Sequence, residues 1–216
     1  MDGTLAERAD RGPIPVTVVG GALGAGKTTL LNHLLRHAGL SQSAGGQRLG
    51  VIVNDFGSIN VDAALIVGVA GDMVQLGNGC ICCTIQGDLV EALGRLLDGP
   101  EPPDHVIIET SGVSDPRRVA ATLEQRVPRE LATIDAVVVV LDVERYQQLG
   151  RRERIVAGGQ IAAADILVLN KVDLVDEPTL AALEAKVRRQ SRDGRILRAD
   201  HGRVAPALVL AAPSVR

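Results

Sequence analysis

The sequence predicts a three-layer α/β fold, a mostly parallel β-sheet with helices on both faces. Three observations carry this. Five short runs are apolar and β-branched without polar alternation, as strands buried on both faces read. Helix-sized segments separate several of them, the pattern of βαβ units. Each polar motif follows directly on the end of such a run, where open α/β sheets place their function.

Taken in order, residues 1–13 read as a flexible tail. Ile14 to Gly20 is a β-branched run ending in glycine, a buried strand. Lys27 to His37 reads as a helix with Leu30, Leu31, Leu34 and Leu35 on one face. Ser41 to Gln47 is a Ser/Gly/Gln loop, and Leu49 to Asn54 a second buried strand. Asp55 to Asn60 is a polar loop around Gly57. Asp72 to Leu76 fits a short strand and Asp88 to Leu97 a helix, which the Pro-rich Gly99 to Asp104 ends. His105 to Glu109 is the next strand, and Pro116 to Gln125 a helix with proline near its start. Ala136 to Leu141 and Ile166 to Asn170 are further strands, and Thr179 to Gln190 is a charged amphipathic helix.

Composition narrows the function classes. With 216 residues and 46% apolar content, the chain can bury one sizeable core. Aromatics are 1%, Phe56 and Tyr146, so the core must be Val, Ile, Leu and Ala. That argues against aromatic stacking of single-stranded nucleic acid. A net charge of −3 leaves no basic footprint for DNA. No apolar run reaches the roughly 18 residues of a membrane span, and Met1 to Gly12 is no signal peptide. The expectation is a cytoplasmic protein with neither nucleic acid nor membrane as partner.

Gly21-Ala-Leu-Gly-Ala-Gly26-Lys27-Thr28 matches G-x-x-x-x-G-K-[ST] between a strand and a helix, the setting that gives this motif its meaning. Glycines such as Gly21, Gly24 and Gly26 let backbone N–H groups, with those of Ala25, Thr28 and Thr29, curl around a phosphate. The helix N-terminus adds partial positive charge. Lys27 reaches the β/γ oxygens and the Thr28 hydroxyl takes Mg²⁺. Such an octamer arises by chance in about 1% of chains this long at average glycine usage, so nucleotide binding is the better reading. The fold class is then a three-layer P-loop NTPase.

Two further strand ends bear on the same site. Glu109-Thr-Ser-Gly112 offers a carboxylate for Mg²⁺ and a Gly112 N–H for the γ-phosphate; the plainer alternative is a loop cap. Asp142, at the end of another strand, is a rival carboxylate without a following glycine. Asn170-Lys171-Val-Asp173 matches N-K-x-D. Asp173 can accept from guanine N1–H and N2, a donor pair adenine lacks. Lys171 can lie along base and ribose, and Asn170 can tie the loop to the P-loop. Asp173 as an ordinary helix cap is the alternative.

All three cysteines, Cys80, Cys82 and Cys83, fall within four residues. An odd, clustered set is not a disulfide framework. Three thiols on one turn can converge on Zn²⁺ or another soft or borderline cation. Redox chemistry and simple packing follow in that order. His33 and His37, four apart on one helix face, have metal-binding spacing but read as a solvated face. Arg117 and Arg118 could supply an arginine finger but read as a solvated helix.

Gly-Ala-Leu-Gly-Ala-Gly-Lys-Thr-Thr-Leu-Leu, Val-Asn-Asp-Phe-Gly, Gly-Cys-Ile-Cys-Cys, Glu-Thr-Ser-Gly and Asn-Lys-Val-Asp-Leu occur in that order. Together with Gln160 to Asp165, they make the chain resemble the CobW branch of the CobW/HypB/UreG family of metallochaperone GTPases, from about Ile14 to Leu210. The resemblance implies a GTPase that carries or delivers a metal ion, with GTP/GDP, Mg²⁺ and Zn²⁺ (or Co²⁺ or another transition metal) as its small molecules. It implies Gly21 to Thr29 as the phosphate loop and Asp55 in a switch segment. Lys27, Asp55 and Glu109 are then the residues of hydrolysis, Thr28 and Glu109 the Mg²⁺ pair, and Cys80, Cys82 and Cys83 the transition-metal ligands. A metalloprotein client and a GTP-dependent homodimer are the implied partners, and the family's branches span cobalamin synthesis, zinc homeostasis and enzyme activation.

The family often has glutamate where this chain has Ser58 and Gln75, and Asp55 replaces another, which leaves the fourth metal ligand unassigned. The expectation for residues 14–216 is a single GTPase domain without the family's C-terminal domain. A GTP-dependent binding switch with little turnover and a thiol redox sensor with bound nucleotide remain the alternative functions.

Overall fold

The apolar runs pair side by side in a computed structural model that describes residues 12–40, 48–53, 73–75, 84–100, 102–191 and 193–210. Its strands are β1 (Ile14–Gly20), β2 (Leu49–Val53), β3 (Met73–Gln75), β4 (His105–Glu109), β5 (Ala132–Asp142), β6 (Ile166–Asn170) and β7 (Arg195–Ala199). They form one seven-stranded sheet in the order β3-β2-β4-β1-β5-β6-β7. Every pairing among them is parallel. The helices are α1 (Lys27–Leu40), α2 (Thr84–Asp98), α3 (Pro116–Arg126), α4 (Val143–Gln148), α5 (Arg151–Ala163) and α6 (Glu177–Gln190).

Strand periodicity decides which helix covers which face. Val137, Val139 and Leu141 point into a core shared with α2, α3, α5 and α6. Ala136, Val138 and Val140 point into a second core, shared with α1 and with Val204, Val209 and Leu210. Both faces are apolar, so the strands show no alternation in sequence. Leu30, Leu31 and Leu34 of α1 are fully buried, each worth about 1.5–3 kcal/mol of apolar burial. Val, Ile, Leu and Ala dominate both cores, with Tyr146 the aromatic contribution among the described residues.

Several boundaries differ from the sequence reading. β5 begins at Ala132 rather than Ala136. Exposed Asp135 breaks the apolar run, and the pairing with β1 skips it, passing from Val16↔Ile134 to Thr17↔Ala136. This is a bulge, and bulges interrupt sequence patterns. Helices α4 and α5 and strand β7 were not anticipated. α5 carries Gly158-Gly159, poor helix formers, and is held by buried Ala157, Gln160 and Ile161. β7 is a half-exposed edge strand with Arg195 and Arg198 in place of an apolar run.

Residues 1–11 of the expected tail, the 41–47 loop, and residues 54–72 and 76–83 lie outside the described residues. No helix among the described residues is long and apolar enough to cross a membrane.

Candidate functional site

Because the sheet is parallel, the loops after β1, β4, β5 and β6 all emerge at its carboxyl edge. The loop after β1 is the P-loop. Gly21, Gly24 and Gly26 hold φ of 132°, 75° and 101°, the left-handed region that favours glycine. Ala25 N donates to Ala22 O at 3.1 Å, and Leu30 N to Gly26 O at 2.9 Å, so the loop runs straight into α1. Lys27 is buried, and its Nζ donates to Ala22 O at 3.3 Å. Thr29 is exposed beside it. The arrangement turns the positive, N-terminal end of α1 toward the loop, where an anion is favoured.

The loop after β4 lies against this one. Glu109 is 1% exposed, and the Thr28 hydroxyl donates to its Oε1 at 2.9 Å. Thr110 N donates to Val19 O at 2.9 Å, and its hydroxyl to the same oxygen at 3.2 Å. A Cβ on Gly112 would stand 2.4 Å from Leu23 N, so only glycine lets this segment touch the P-loop. The hydroxyl–carboxylate pair is a hard oxygen donor set, which fits Mg²⁺. A cation there would also offset a buried carboxylate charge.

The loop after β6 is tied to the P-loop from the other side. Asn170 is buried. Its Nδ2 donates to Ala25 O at 2.9 Å, and its Oδ1 accepts from Gly202 N at 2.9 Å. Asp173 is exposed in a one-turn 3₁₀ helix, Val172–Leu174. The Lys171 ammonium is paired, with Nζ 2.7 Å from Asp142 Oδ2, leaving its aliphatic stem to flank a base. Asp142 therefore serves Lys171 and not Thr28.

Sequence reasoning missed the loop after β7. Asp200 and His201 bring ligand atoms within 4.8 Å of the Asp173 carboxylate. His201 and Asp173 hold the Asp200 carboxyl below its ordinary range, the His201 contact more strongly. Arg145 was also missed; its Nη1 donates to Leu23 O at the P-loop at 3.1 Å. The polar string Asp-His-Gly at a strand end was the only available signal for the first. Nothing local marked the second.

One further expectation changes. His33 is not on a solvated face: it is half-buried, its Nε2 lies 2.9 Å from Val204 O, and burial lowers its pKa. His37 stacks against it, exposed, at 4.1 Å between ring centroids. Arg117 turns to the Ala162 carbonyl of α5, while exposed Arg118 lies 4.0 Å from Asp115. Asp55, Cys80, Cys82 and Cys83 lie outside the described residues.

Comparison with known proteins points the same way. The family model described as CobW/HypB/UreG, nucleotide-binding domain, matches residues 15–198. "Zinc chaperone CobW" of Sinorhizobium sp is 36% identical over 94% of this chain and 64% of its own length. "Zinc-regulated GTPase metalloprotein activator 1" of Schizosaccharomyces pombe is 30% identical over 89% of this chain and 47% of its own. The crystal structure of Zn(II)-bound YjiA GTPase from E. coli superposes with a TM-score of 0.68 at 26% identity, covering 92% of this chain and 61% of that one. The chain thus spans about half to two-thirds of the length of the curated relatives it matches.

Proposed function

The chain belongs to the CobW/HypB/UreG family, and from that premise we propose that it is a GTP-hydrolysing metallochaperone whose Mg·GTP turnover is coupled to binding and delivery of a transition metal. The observation that carries the nucleotide half is the Thr28–Glu109 contact, 2.9 Å, directly beneath the P-loop. In this reading the amides of Gly21 to Thr29 and the Lys27 ammonium hold the β- and γ-phosphates. Thr28 and Glu109 hold Mg²⁺, which when bound neutralises charge on those oxygens. Asp173 accepts from guanine N1–H and N2. Water attacks the γ-phosphoryl group, and Asp55 and Glu109 are the residues available to orient it. Catalysis is positioning and charge stabilisation, so turnover is slow without a partner.

The metal half rests on Cys80, Cys82 and Cys83 and on relatives named as zinc chaperones. Three thiolates supply most of a tetrahedral zinc shell. β3 ends at Gln75 and α2 starts at Thr84, so the cysteine segment joins the carboxyl end of β3 to α2 in the chain. A metalloprotein client receives the ion, and two copies of the chain associate when GTP is bound. Nucleotide and metal affinities are then reciprocally linked, on the usual scale of about 1–3 kcal/mol.

Zinc affinity by chelator competition, with GDP and with a non-hydrolysable GTP analogue, tests the coupling. The expected result is a difference between the two states, with Cys82→Ser losing tight zinc binding while nucleotide affinity is kept. Equal zinc affinities would leave a GTPase with a structural or redox-active cysteine turn.

A further inference from the structure

Asp142, the last residue of β5, sits opposite Asn170 in the β5–β6 register. Its carboxylate is buried, at 8% exposure, and both oxygens are engaged. Oδ1 accepts from Arg145 N at 2.9 Å and so caps α4. Oδ2 accepts from Lys171 Nζ at 2.7 Å. The first contact fixes the start of α4, and the second reaches the loop after β6.

On one side stands Lys171, whose φ of 64° and ψ of 38° are left-handed without its being glycine. Side chains disfavour that conformation, and it persists where surrounding contacts over-determine it. The Asp142 ion pair is such a contact, and Asp173 follows two residues later. On the other side stands Arg145. Its backbone is fixed by Asp142, and its guanidinium reaches Leu23 O of the P-loop at 3.1 Å and Glu153 at 3.6 Å. One buried charge thereby connects the base-side loop to the phosphate-side loop. Asp142 is buried while the Lys171 side chain is 34% exposed, so it is loss of the Lys171 ammonium that strands a buried charge, a heavier loss than removing both.

We infer that Asp142 is a positioning residue of the nucleotide site: it holds Lys171, and through it the loop bearing Asp173, in one conformation, and sets Arg145 against the P-loop. The inference rests on the reading of this edge as the GTP site. Because GTP and GDP share the base and ribose that the Lys171 loop flanks, the effect falls on both.

The test is the release rate of fluorescent mant-GDP and mant-GTP from Asp142→Asn, Lys171→Met and the double variant. Each single change should speed release of both nucleotides about tenfold, the middle of the range for contacting pairs. The double variant should release no faster than the faster single one. Lys171→Arg, which keeps the ion pair, should stay nearer the wild type than Lys171→Met, and this comparison stands even if Asp142→Asn folds poorly. Wild-type release from Asp142→Asn, or losses that multiply in the double variant, would overturn the positioning role. A wild-type chain that retains neither nucleotide would instead bring down the GTP-site reading, and this inference with it.

Discussion

The Asn170 amide occupies the space that a side chain on Gly26 would need: a Cβ there would fall 2.2 Å from Asn170 Nδ2. The same nitrogen donates to Ala25 O, and the other end of the amide accepts from Gly202 N. One side chain therefore joins three loops, and it fits only because residue 26 is glycine.

Asn170→Ala should strand a buried carbonyl and a buried N–H at once. The expected loss is about 2–6 kcal/mol of stability, from two unsatisfied groups at about 1–3 kcal/mol each. Gly26→Ala should also destabilise, since φ of 101° strains any L side chain. Urea unfolding of the nucleotide-free protein measures both. An Asn170→Ala loss below about 0.5 kcal/mol, the scale of an ordinary surface change, would mean that water replaces the amide.

A second prediction concerns Thr28 and Glu109. Glu109→Gln keeps an oxygen that can accept from the Thr28 hydroxyl but removes the charge. GTP affinity in Mg²⁺ should fall roughly 10- to 100-fold, the worth of a hydrogen bond to a charged group. Affinity in EDTA should change far less. Isothermal titration in both buffers separates the two, and an equal loss in each would assign Glu109 to folding alone.

Base selection gives a third. Asp173→Asn should weaken GTP and improve XTP, because the amide offers a donor where xanthine has an oxygen and guanine an amino group. A swing of about 10- to 100-fold in relative affinity is expected. Competition among GTP, XTP and ATP measures it. Equal binding of GTP and ATP by the wild type would show that Asp173 does not read the base.

How much of this could be read in the chain depended on distance along it. The Gly21 to Thr28 and Asn170 to Asp173 strings are contiguous, and apolar runs bounded by Gly, Pro or polar residues marked β1, β4 and β6 within a residue of their ends. β7 escaped because an edge strand bearing Arg195 and Arg198 has no apolar signature. The links that assemble the site escaped too. Lys171 meets Asp142 across 29 positions, Gly202 meets Asn170 across 32, and Arg145 meets Leu23 across 122. Only the fold brings these together.

The last prediction is a pH dependence seated away from the site. His105 lies fully buried on β4. Its Nε2 is 2.7 Å from Thr17 Oγ1, and its Nδ1 finds no hydrogen-bond partner among the described residues. Burial pushes its pKa from 6.5 down to about 4, with Asp135 pulling weakly the other way. The folded protein keeps this ring neutral to about pH 4, while the unfolded chain protonates it near 6.5. Between those values the unfolded state binds more protons, so acid favours unfolding. The stabilising effect is complete above pH 6.5 and is lost progressively as pH falls to about 4. A shift of this size amounts to about 3 kcal/mol at most. Glutamine at this position can still bond Thr17 but does not titrate. The unfolding free energy of the wild type should therefore drop by about 2–3 kcal/mol more than that of His105→Gln between pH 7 and 4.5. Parallel urea-unfolding curves for the two proteins across that interval would show that the ring accepts its proton without leaving the core.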